Sequence, residues 1–291
     1  MMLLATVFVA CSDDDDKDEK DNDLPEEPTE TIDYWYITLN VDIPSSEHNI
    51  FITCAQADSV NWGNTGSEFV KVNFWDNDKT TLKAPFYNSG SYTITIKGHE
   101  PITEFGCSTS RINNGPLPDP VITSFDVSAP ESVEKVSIDN TKMTSIDLSK
   151  YTALTEVYIS ENRYLATINI SSCQKLNDLW CSNNQLTSLD VSNCTNLVEL
   201  SCSNNQLTSL DVSNCTNLVE LSCSDNQLTS LDVSNCTELN YLGCRDNNFN
   251  DNAMNAIYNG LPDRTGKEAG NMYGGAKGDK TIAKRKNWVV R

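Results

Sequence analysis

Residues 176–238 are one 21-residue unit written three times, with copies that begin at Leu176, Leu197 and Leu218. The second copy reads LVELSCSNNQLTSLDVSNCTN. A unit this short cannot bury its own apolar face, so it is stable only when stacked on its neighbours, and the chain must build a solenoid. Each copy carries the pattern L-x-x-L-x-C-x-x-N-x-L, followed by L-x-V and a second cysteine. Downstream the register continues through Leu239, Leu242, Cys244, Asn247 and Phe249 and breaks off at Asp251. Upstream, Leu154, Val157, Ile159 and Asn162 form a copy with one extra residue near Arg163–Tyr164. Before it, Val133, Val136, Ile138, Met143, Ile146 and Leu148 form another, with Thr141 in the asparagine position. A split copy opens the array: Ile102, Phe105 and Cys107 fit the strand half, and ITSFDVS (122–128) fits LTSLDVS. An insertion carrying Pro116, Pro118 and Pro120 separates these halves. Seven strands at ~4.8 Å spacing predict a parallel sheet roughly 30 Å long.

This pattern resembles the leucine-rich repeat, with cysteine in the third apolar slot of the strand. The resemblance implies a mainly β fold with short irregular or helical segments on the convex side. Eight of the eleven cysteines fall into two columns: Cys181, Cys202, Cys223 and Cys244 in the strand slot, and Cys173, Cys194, Cys215 and Cys236 in a convex-side slot. Neighbouring Cα atoms in the first column lie within disulfide range, but the parallel side-chain directions disfavour the near-perpendicular dihedral a disulfide needs. Four thiolates in a column do not converge tetrahedrally on a metal either. Small buried thiols packed as hydrophobes fit best. The arrangement resembles the cysteine-containing 21-residue repeats of certain bacterial internalins. Pairing of Cys54 with Cys107 in an oxidising compartment stays open.

Residues 31–100 alternate with period two in short runs, TIDYWYITLNVDI (31–43), NIFITCA (49–55), EFVKVNFW (68–75) and SYTITIKG (91–98). Alternation rich in Ile, Val, Thr and Tyr predicts half-buried antiparallel strands in a sandwich. Val60-Asn61-Trp62-Gly63-Asn64 and Tyr87-Asn88-Ser89-Gly90-Ser91-Tyr92-Thr93-Ile94 are similar to the W-G-D-G turn and the Y-x-x-x-G-x-Y strand start of PKD-like sandwiches. In this resemblance Trp62 is a core residue. Tyr92–Lys97 runs almost directly into Ile102, so the sandwich should shield the apolar end of the solenoid of residues 101–252.

The chain holds 41 acidic against 21 basic residues, a net charge of −20. A surface of that sign repels phosphate backbones and excludes nucleic acid as a partner. Residues 1–10 with Cys11, MMLLATVFVAC, are apolar and too short to span a bilayer. They resemble a bacterial lipoprotein signal, which implies cleavage before Cys11 and acylation of that cysteine. The acidic stretch that follows in residues 11–30, beginning Ser12-Asp13-Asp14-Asp15-Asp16, resembles the export tag of surface lipoproteins of the Bacteroidetes. Its charge and prolines equally describe a solvated spacer. The implied location is the bacterial outer membrane at the cell surface, held by lipid.

At the other end, residues 253–291 read as a cap. Asp251 or Asn252 is placed to start a short helix with Ala253, Met254, Ile257 and Leu261 on one face, stopped by Gly260 and Pro262. The basic tail, Lys280 to Arg291, is expected to pack Trp288, Val289 and Val290 on the last repeat.

Catalytic chemistry has little to draw on. His48 and His99 are the two histidines, both in the sandwich, and the chain carries no nucleophile elbow, HExxH or P-loop. Asp246 to Asn252 begins like a calcium loop, but it lacks the glycine at position six, and Ile257 stands where the bidentate glutamate belongs. The Asn-Cys-Thr triplets at Asn193, Asn214 and Asn235 fit a glycosylation pattern that a bacterial lipoprotein would rarely use. No cofactor, metal or enzymatic activity is expected. The asparagine column, Asn162, Asn184, Asn205, Asn226 and Asn247, is expected to hydrogen-bond turn backbone from inside.

The residues flanking the second leucine point outward from the concave sheet. One column is Glu104, Lys135, Glu156, Asp178, Glu199, Glu220 and Tyr241; its neighbour is Gly106, Ser137, Tyr158, Trp180, Ser201, Ser222 and Gly243. Tyr158 and Trp180 therefore stand side by side on a small, polar surface flanked by carboxylates. Such a pair has the composition of a binding hot spot, or it is ordinary cross-strand packing. The expectation is a monomeric scaffold that recognises a protein on a host or neighbouring cell; the alternative is a glycan-binding lipoprotein of a polysaccharide-capture system.

Overall fold

A computed structural model describes residues 34–43, 48–54, 57, 59–61, 70–71, 80–86, 90–110, 119–274 and 277–291, all within the unit Asp33–Arg291. The signal segment with Cys11, the acidic tract, Trp62-Gly63-Asn64, Tyr87-Asn88-Ser89, Pro116 and Pro118 lie outside the described residues. The first strands are β1 (Trp35–Ile43), β2 (His48–Cys54), β3 (Ser59–Asn61), β4 (Val70–Lys71), β5 (Thr80–Phe86) and β6 (Gly90–Gly98). Next come β7 (Glu104–Ser110) and β8 (Ile122–Val127), the two halves of the split copy. The repeats supply β9 (Lys135–Asp139), β10 (Ser145–Asp147), β11 (Glu156–Tyr158), β12 (Thr167–Asn169), β13 (Asp178–Trp180), β14 (Glu199–Ser201), β15 (Glu220–Ser222) and β16 (Tyr241–Gly243). The end of the chain forms α1 (Asp251–Gly260), β17 (Gly270–Tyr273), α2 (Thr281–Arg285) and β18 (Trp288–Val290).

Among the described residues these strands make a five-stranded sheet, β4-β3-β6-β1-β8, a small pair, β10-β12, and an eleven-stranded sheet, β5-β2-β7-β9-β11-β13-β14-β15-β16-β17-β18. The fold is therefore a leucine-rich-repeat solenoid preceded by an antiparallel sandwich, and the two share a sheet. Strand β7 is the joint: it pairs antiparallel with β2 and parallel with β9. The convex half of the same split copy, β8, pairs antiparallel with β1 as an edge of the five-stranded sheet. Phe105 on β7 and Phe125 on β8 close the space between the two layers, with ring centroids 5.1 Å apart. Hydrogen bonding thus carries the sheet across the apolar end that a solenoid must cover. Later convex segments are turns rather than helices, with β10 and β12 as short parallel strands.

The repeat pattern maps onto burial position by position. Leu176, Leu179, Leu186 and Cys181 are fully buried, as are Leu197, Cys202, Leu207, Leu218, Leu221, Cys223 and Leu228 in the next copies. Each such leucine contributes about 1.5–3 kcal/mol of burial. One residue per turn adopts left-handed φ: Asn140, Glu161, Asn183, Asn204, Asp225 and Asp246, between 47° and 60°. Each stands just before the ladder position (Thr141 or an asparagine), which explains the Asn-Asn and Asp-Asn pairs, since Asn and Asp tolerate that region best. The ladder bonds as expected. Asn184 donates through Nδ2 to the carbonyls of Ile159 (2.6 Å) and Cys181 (2.8 Å), and its Oδ1 accepts from the N–H of Asn162 (2.9 Å). The extra residue at Arg163–Tyr164 is absorbed in a turn, where Arg163 pairs with Asp119.

All ten described cysteines are buried free thiols. Cys54 stands opposite Phe105, and Cys107 opposite Ile52, so the two are diagonal rather than facing. Diagonal neighbours across antiparallel strands lie about 7–8 Å apart, beyond disulfide reach. In the convex column Cys215 and Cys236 offer their thiols to the carbonyls of Val191 and Val212, each at 3.9 Å. These long contacts tie each turn to the previous one without demanding a polar cavity.

The C-terminal end departs from expectation in two places. The helix cap is Asn250, not Asp251 or Asn252: its side chain accepts from the N–H of Ala253 at 2.9 Å. Asp251 instead sits in the first turn, where a carboxylate favours the helix dipole. The tail does not merely lie on the last repeat; β17 and β18 extend the parallel sheet by two strands. Trp288 is buried and donates from Nε1 to the carbonyl of Pro262 (2.9 Å), whereas Val289 is exposed.

Candidate functional site

The concave columns come from strand register. Parallel pairing sets Glu156, Asp178, Glu199, Glu220 and Tyr241 side by side on successive strands, and Tyr158, Trp180, Ser201, Ser222 and Gly243 beside them. The alternation of the pleat sends Val157, Leu179, Leu200, Leu221 and Leu242 into the core and leaves their flanking residues on the other face. All seven residues singled out from the sequence, Glu156, Tyr158, Asp178, Trp180, Glu199, Glu220 and Tyr241, therefore share this face.

Trp180 is 44 % exposed although it is among the larger apolar side chains of the chain. Its ring meets Tyr158 edge-on, with centroids 5.5 Å apart and planes at 65°, a favourable aromatic geometry that fixes both rings. Tyr158 is held from its other side. Its hydroxyl donates to Glu156 Oε2 (3.1 Å), and Lys135 Nζ lies 4.9 Å from the ring centroid and 2.6 Å from the same carboxylate oxygen. Burial and this carboxylate push the Tyr158 hydroxyl above its ordinary value. Beyond Trp180 the surface drops into a trough of about 220 Å³ that ends at Tyr241. Ser201 and Ser222 floor it, and Glu199 and Glu220 wall it. Gly243 keeps this end tight, since a Cβ there would approach Ser222 Oγ to 3.2 Å.

The carboxylates in this column are crowded. Asp178 is pushed above the usual carboxylate range first by burial and then by the charges of Glu199 and Glu156, with Lys135 opposing. Lys135, by contrast, is held above its ordinary value chiefly by its hydrogen bond to Glu156. Among the described residues no Lys or Arg forms an ion pair with Asp178, Glu199 or Glu220. No described cluster of His, Cys, Asp and Glu could hold a metal ion.

Sequence reasoning missed the far end of the face. Strand β17 places Asn271 beside Tyr241 and Tyr273 beside Gly243. The rings of Tyr241 and Tyr273 are 5.8 Å apart, and Arg291 covers Tyr273 at 5.4 Å while donating from Nη1 to its hydroxyl (2.6 Å). Only the alternation of Gly270-Asn271-Met272-Tyr273 signalled this strand, because α1 interrupts the 21-residue period. A second depression, of about 330 Å³, lies between β8 and β10, lined by Ser124, Asp126, Ser145, Asp147 and the buried Tyr151. Of its larger apolar lining residues, Phe125 is half-buried and Met143, Ile146 and Tyr151 are buried.

Among the described residues no helix is long and apolar enough to cross a membrane. A family model for leucine-rich repeats in two copies matches residues 174–214. No curated protein matches the chain. Among solved structures, the functional domain of InlJ from Listeria monocytogenes, described as including a cysteine ladder, shares 26% identity at a TM-score of 0.49. That match covers 58% of this chain and 36% of the other. An internalin (inlF) from Listeria monocytogenes shares 20% identity at a TM-score of 0.44, covering 55% of this chain and 47% of that one. The chain thus spans less than half the length of either structure.

Proposed function

We propose that this chain is a non-catalytic protein-recognition scaffold, displayed at a bacterial surface and engaging its partner with the concave face of the solenoid. The carrying observation is Trp180, exposed on a continuous sheet and buttressed by Tyr158. An exposed aromatic that is already fixed loses little conformational freedom on binding, which is the property of a hot-spot anchor. Apart from Lys135 beside Tyr158 and the Tyr241–Tyr273 pair at the far end of the face, the surrounding residues are short or acidic, so these aromatic rings supply most of the apolar area a partner buries. The wall of carboxylates, on a chain of net charge −20, favours a basic partner surface and disfavours nucleic acid. Surface display rests on Cys11 as a lipid-bearing residue and on the acidic tract behind it; the scaffold then acts as a tethered monomer with no cofactor.

The full chain, immobilised, is tested against surface-protein extracts of host and neighbouring cells, beside the Trp180→Ala/Tyr158→Ala variant. Losing such an anchor typically costs 2 kcal/mol or more, about a thirtyfold loss of affinity. Equal capture by the variant refutes the concave face as the binding surface. Saturable binding to an oligosaccharide array, lost in Trp180→Ala, replaces the protein partner with a glycan. For the anchor, Cys11→Ala should leave the detergent phase in a partitioning assay; retention there refutes lipidation.

A further inference from the structure

We infer that the trough between Trp180 and Tyr241 seats a lysine or arginine side chain of the partner, its charge received by Glu199 and Glu220 and its stem covered by the two rings. This rests on the concave-face reading above and names the chemistry it recognises.

The fold itself shows what completes such a group of residues. At one end of the face, Lys135 lies 4.9 Å from the Tyr158 ring and 2.6 Å from a Glu156 oxygen. At the other end, Arg291 lies 5.4 Å from the Tyr273 ring and donates to its hydroxyl. Both are basic side chains laid on an aromatic of the concave sheet, the first with a carboxylate as well. Between them the same ingredients recur: Trp180 on β13, Tyr241 on β16, and the carboxylates of Glu199 and Glu220 on the strands between. Among the described residues no Lys or Arg of this chain pairs with those carboxylates or lies over those rings.

Size and charge agree. Three strand spacings separate Trp180 from Tyr241, ~14 Å along the sheet, long enough for an extended basic side chain to lie across the serine floor. At about 220 Å³ the trough is smaller than the ~300–1,000 Å³ of pockets that enclose a whole small molecule, which suits one side chain of a larger partner. A guanidinium or ammonium over an aromatic face beside a carboxylate gains from both, while the hydroxyls of Ser201 and Ser222 accept its remaining N–H donors. Asp178 is raised first by burial and then by repulsion from Glu199 and Glu156, and a cation entering the column relieves that second part.

The probe is a fluorescein-labelled hexalysine peptide titrated into the full chain at 50 and 300 mM NaCl and followed by anisotropy. Hexalysine will also meet the acidic tract, so the comparison between variants carries the result. Glu199→Gln/Glu220→Gln, and separately Ser222→Arg, which fills the floor with a cation of its own, should each weaken binding about tenfold or more. The double variant should also flatten the salt dependence. Asp190→Asn/Asp211→Asn, the same charge change on the convex side, should leave affinity within twofold. If the convex and concave pairs weaken binding equally, the chain attracts lysine only through its bulk charge and the inference is overturned. If Ser222→Arg abolishes capture of surface proteins while hexalysine binds wild type and Glu199→Gln/Glu220→Gln alike, the cation site fails but concave recognition stands. If Trp180→Ala/Tyr158→Ala captures surface proteins like wild type, recognition by this face fails first and the cation site with it.

Discussion

Replacing Asn184 by alanine tests what holds one turn of the solenoid to the next. The carboxamide makes three bonds at once: Nδ2 to the carbonyls of Ile159 (2.6 Å) and Cys181 (2.8 Å), and Oδ1 from the N–H of Asn162 (2.9 Å). The first and last belong to the preceding turn, the second to its own. Each bond contributes about 1 kcal/mol net, and a buried partner left unsatisfied costs about 1–3 kcal/mol, so Asn184→Ala should lose about 3–5 kcal/mol. Asn184 is 2 % exposed, Asn205 and Asn226 are 8 % exposed, and Asn247 is only half-buried. Water can replace the lost partner more readily toward the last turn. The cost should therefore fall in the order Asn184, then Asn205 and Asn226, then Asn247, although the last three donate to the equivalent pair of carbonyls and accept, in place of the Asn162 bond, from the N–H of Leu186, Leu207 and Leu228. Urea unfolding followed by circular dichroism gives the total, and amide exchange at Asn162 reports the orphaned N–H directly. Repeat arrays can unfold in segments, so the exchange measurement decides where the two differ. A loss below about 1 kcal/mol at Asn184, or equal losses along the column, refutes the ladder as the tie between turns.

Three further outcomes are expected. Burial pushes the Cys202 and Cys244 thiols up to about 12 and Cys173 to about 11, so the ten cysteines from Cys54 onward should resist iodoacetamide at pH 8 until the chain is unfolded, and a bridged or rapidly alkylated pair in mass spectra contradicts this; Cys202→Ser should cost about 1–3 kcal/mol by burying a hydroxyl. Glu161 holds φ at 59° where later turns place Asn or Asp, so Glu161→Asn should stabilise by about 0.5–1 kcal/mol in urea, and a loss of stability overturns the backbone argument. The folded chain keeps the Asp178 proton to higher pH than the unfolded one, so stability falls as pH rises through the range just above ordinary carboxylates. Asp178→Asn should accordingly raise the melting temperature at pH 7, with the gain fading in acid; a constant gain at every pH removes titration as its cause.

The middle of the molecule was legible because one period governed it. Once Leu176, Leu197 and Leu218 are aligned, the parallel strands, the asparagine ladder, the cysteine columns and the concave rows all follow from a repeat of 21. Legibility ended where a residue answers to something other than its place in the period. ITSFDVS matches LTSLDVS letter for letter at most positions, yet as β8 it pairs with β1, because the sandwich offers its edge to a convex segment that elsewhere forms only turns. Asn250 rather than Asp251 caps α1, a one-residue shift that any of several adjacent Asn and Asp side chains could satisfy locally. The left-handed column was visible as Asn-Asn and Asp-Asn pairs, but a pair of polar residues in a turn admits several conformations until stacking selects one.

The concave site divides along the same line. Trp180, Tyr158 and the carboxylate column were placed by period alone. Tyr273 and Arg291 were not, since each reaches the face through strands that follow a helix and carry no leucine pattern. Their position matters for how the surface works. The sheet beneath Trp180 continues through β7 into the sandwich on one side and through β17 and β18 on the other. Its nearer edge, β18, is therefore two strands beyond the trough, and the strands that hold the two rings are tied on both sides by backbone hydrogen bonds. The opening free energy of such a segment approaches that of the whole fold. A partner then meets a preformed surface, so substitutions that only weaken a distant turn should lower stability without lowering affinity. The Asn287→Ala variant, which removes bonds to the carbonyls of Arg264 and Lys267 in the C-terminal cap, offers that separation: reduced protection in the cap together with unchanged binding at Trp180 supports a rigid face, whereas a parallel loss of affinity means the trough depends on ordering that the cap supplies.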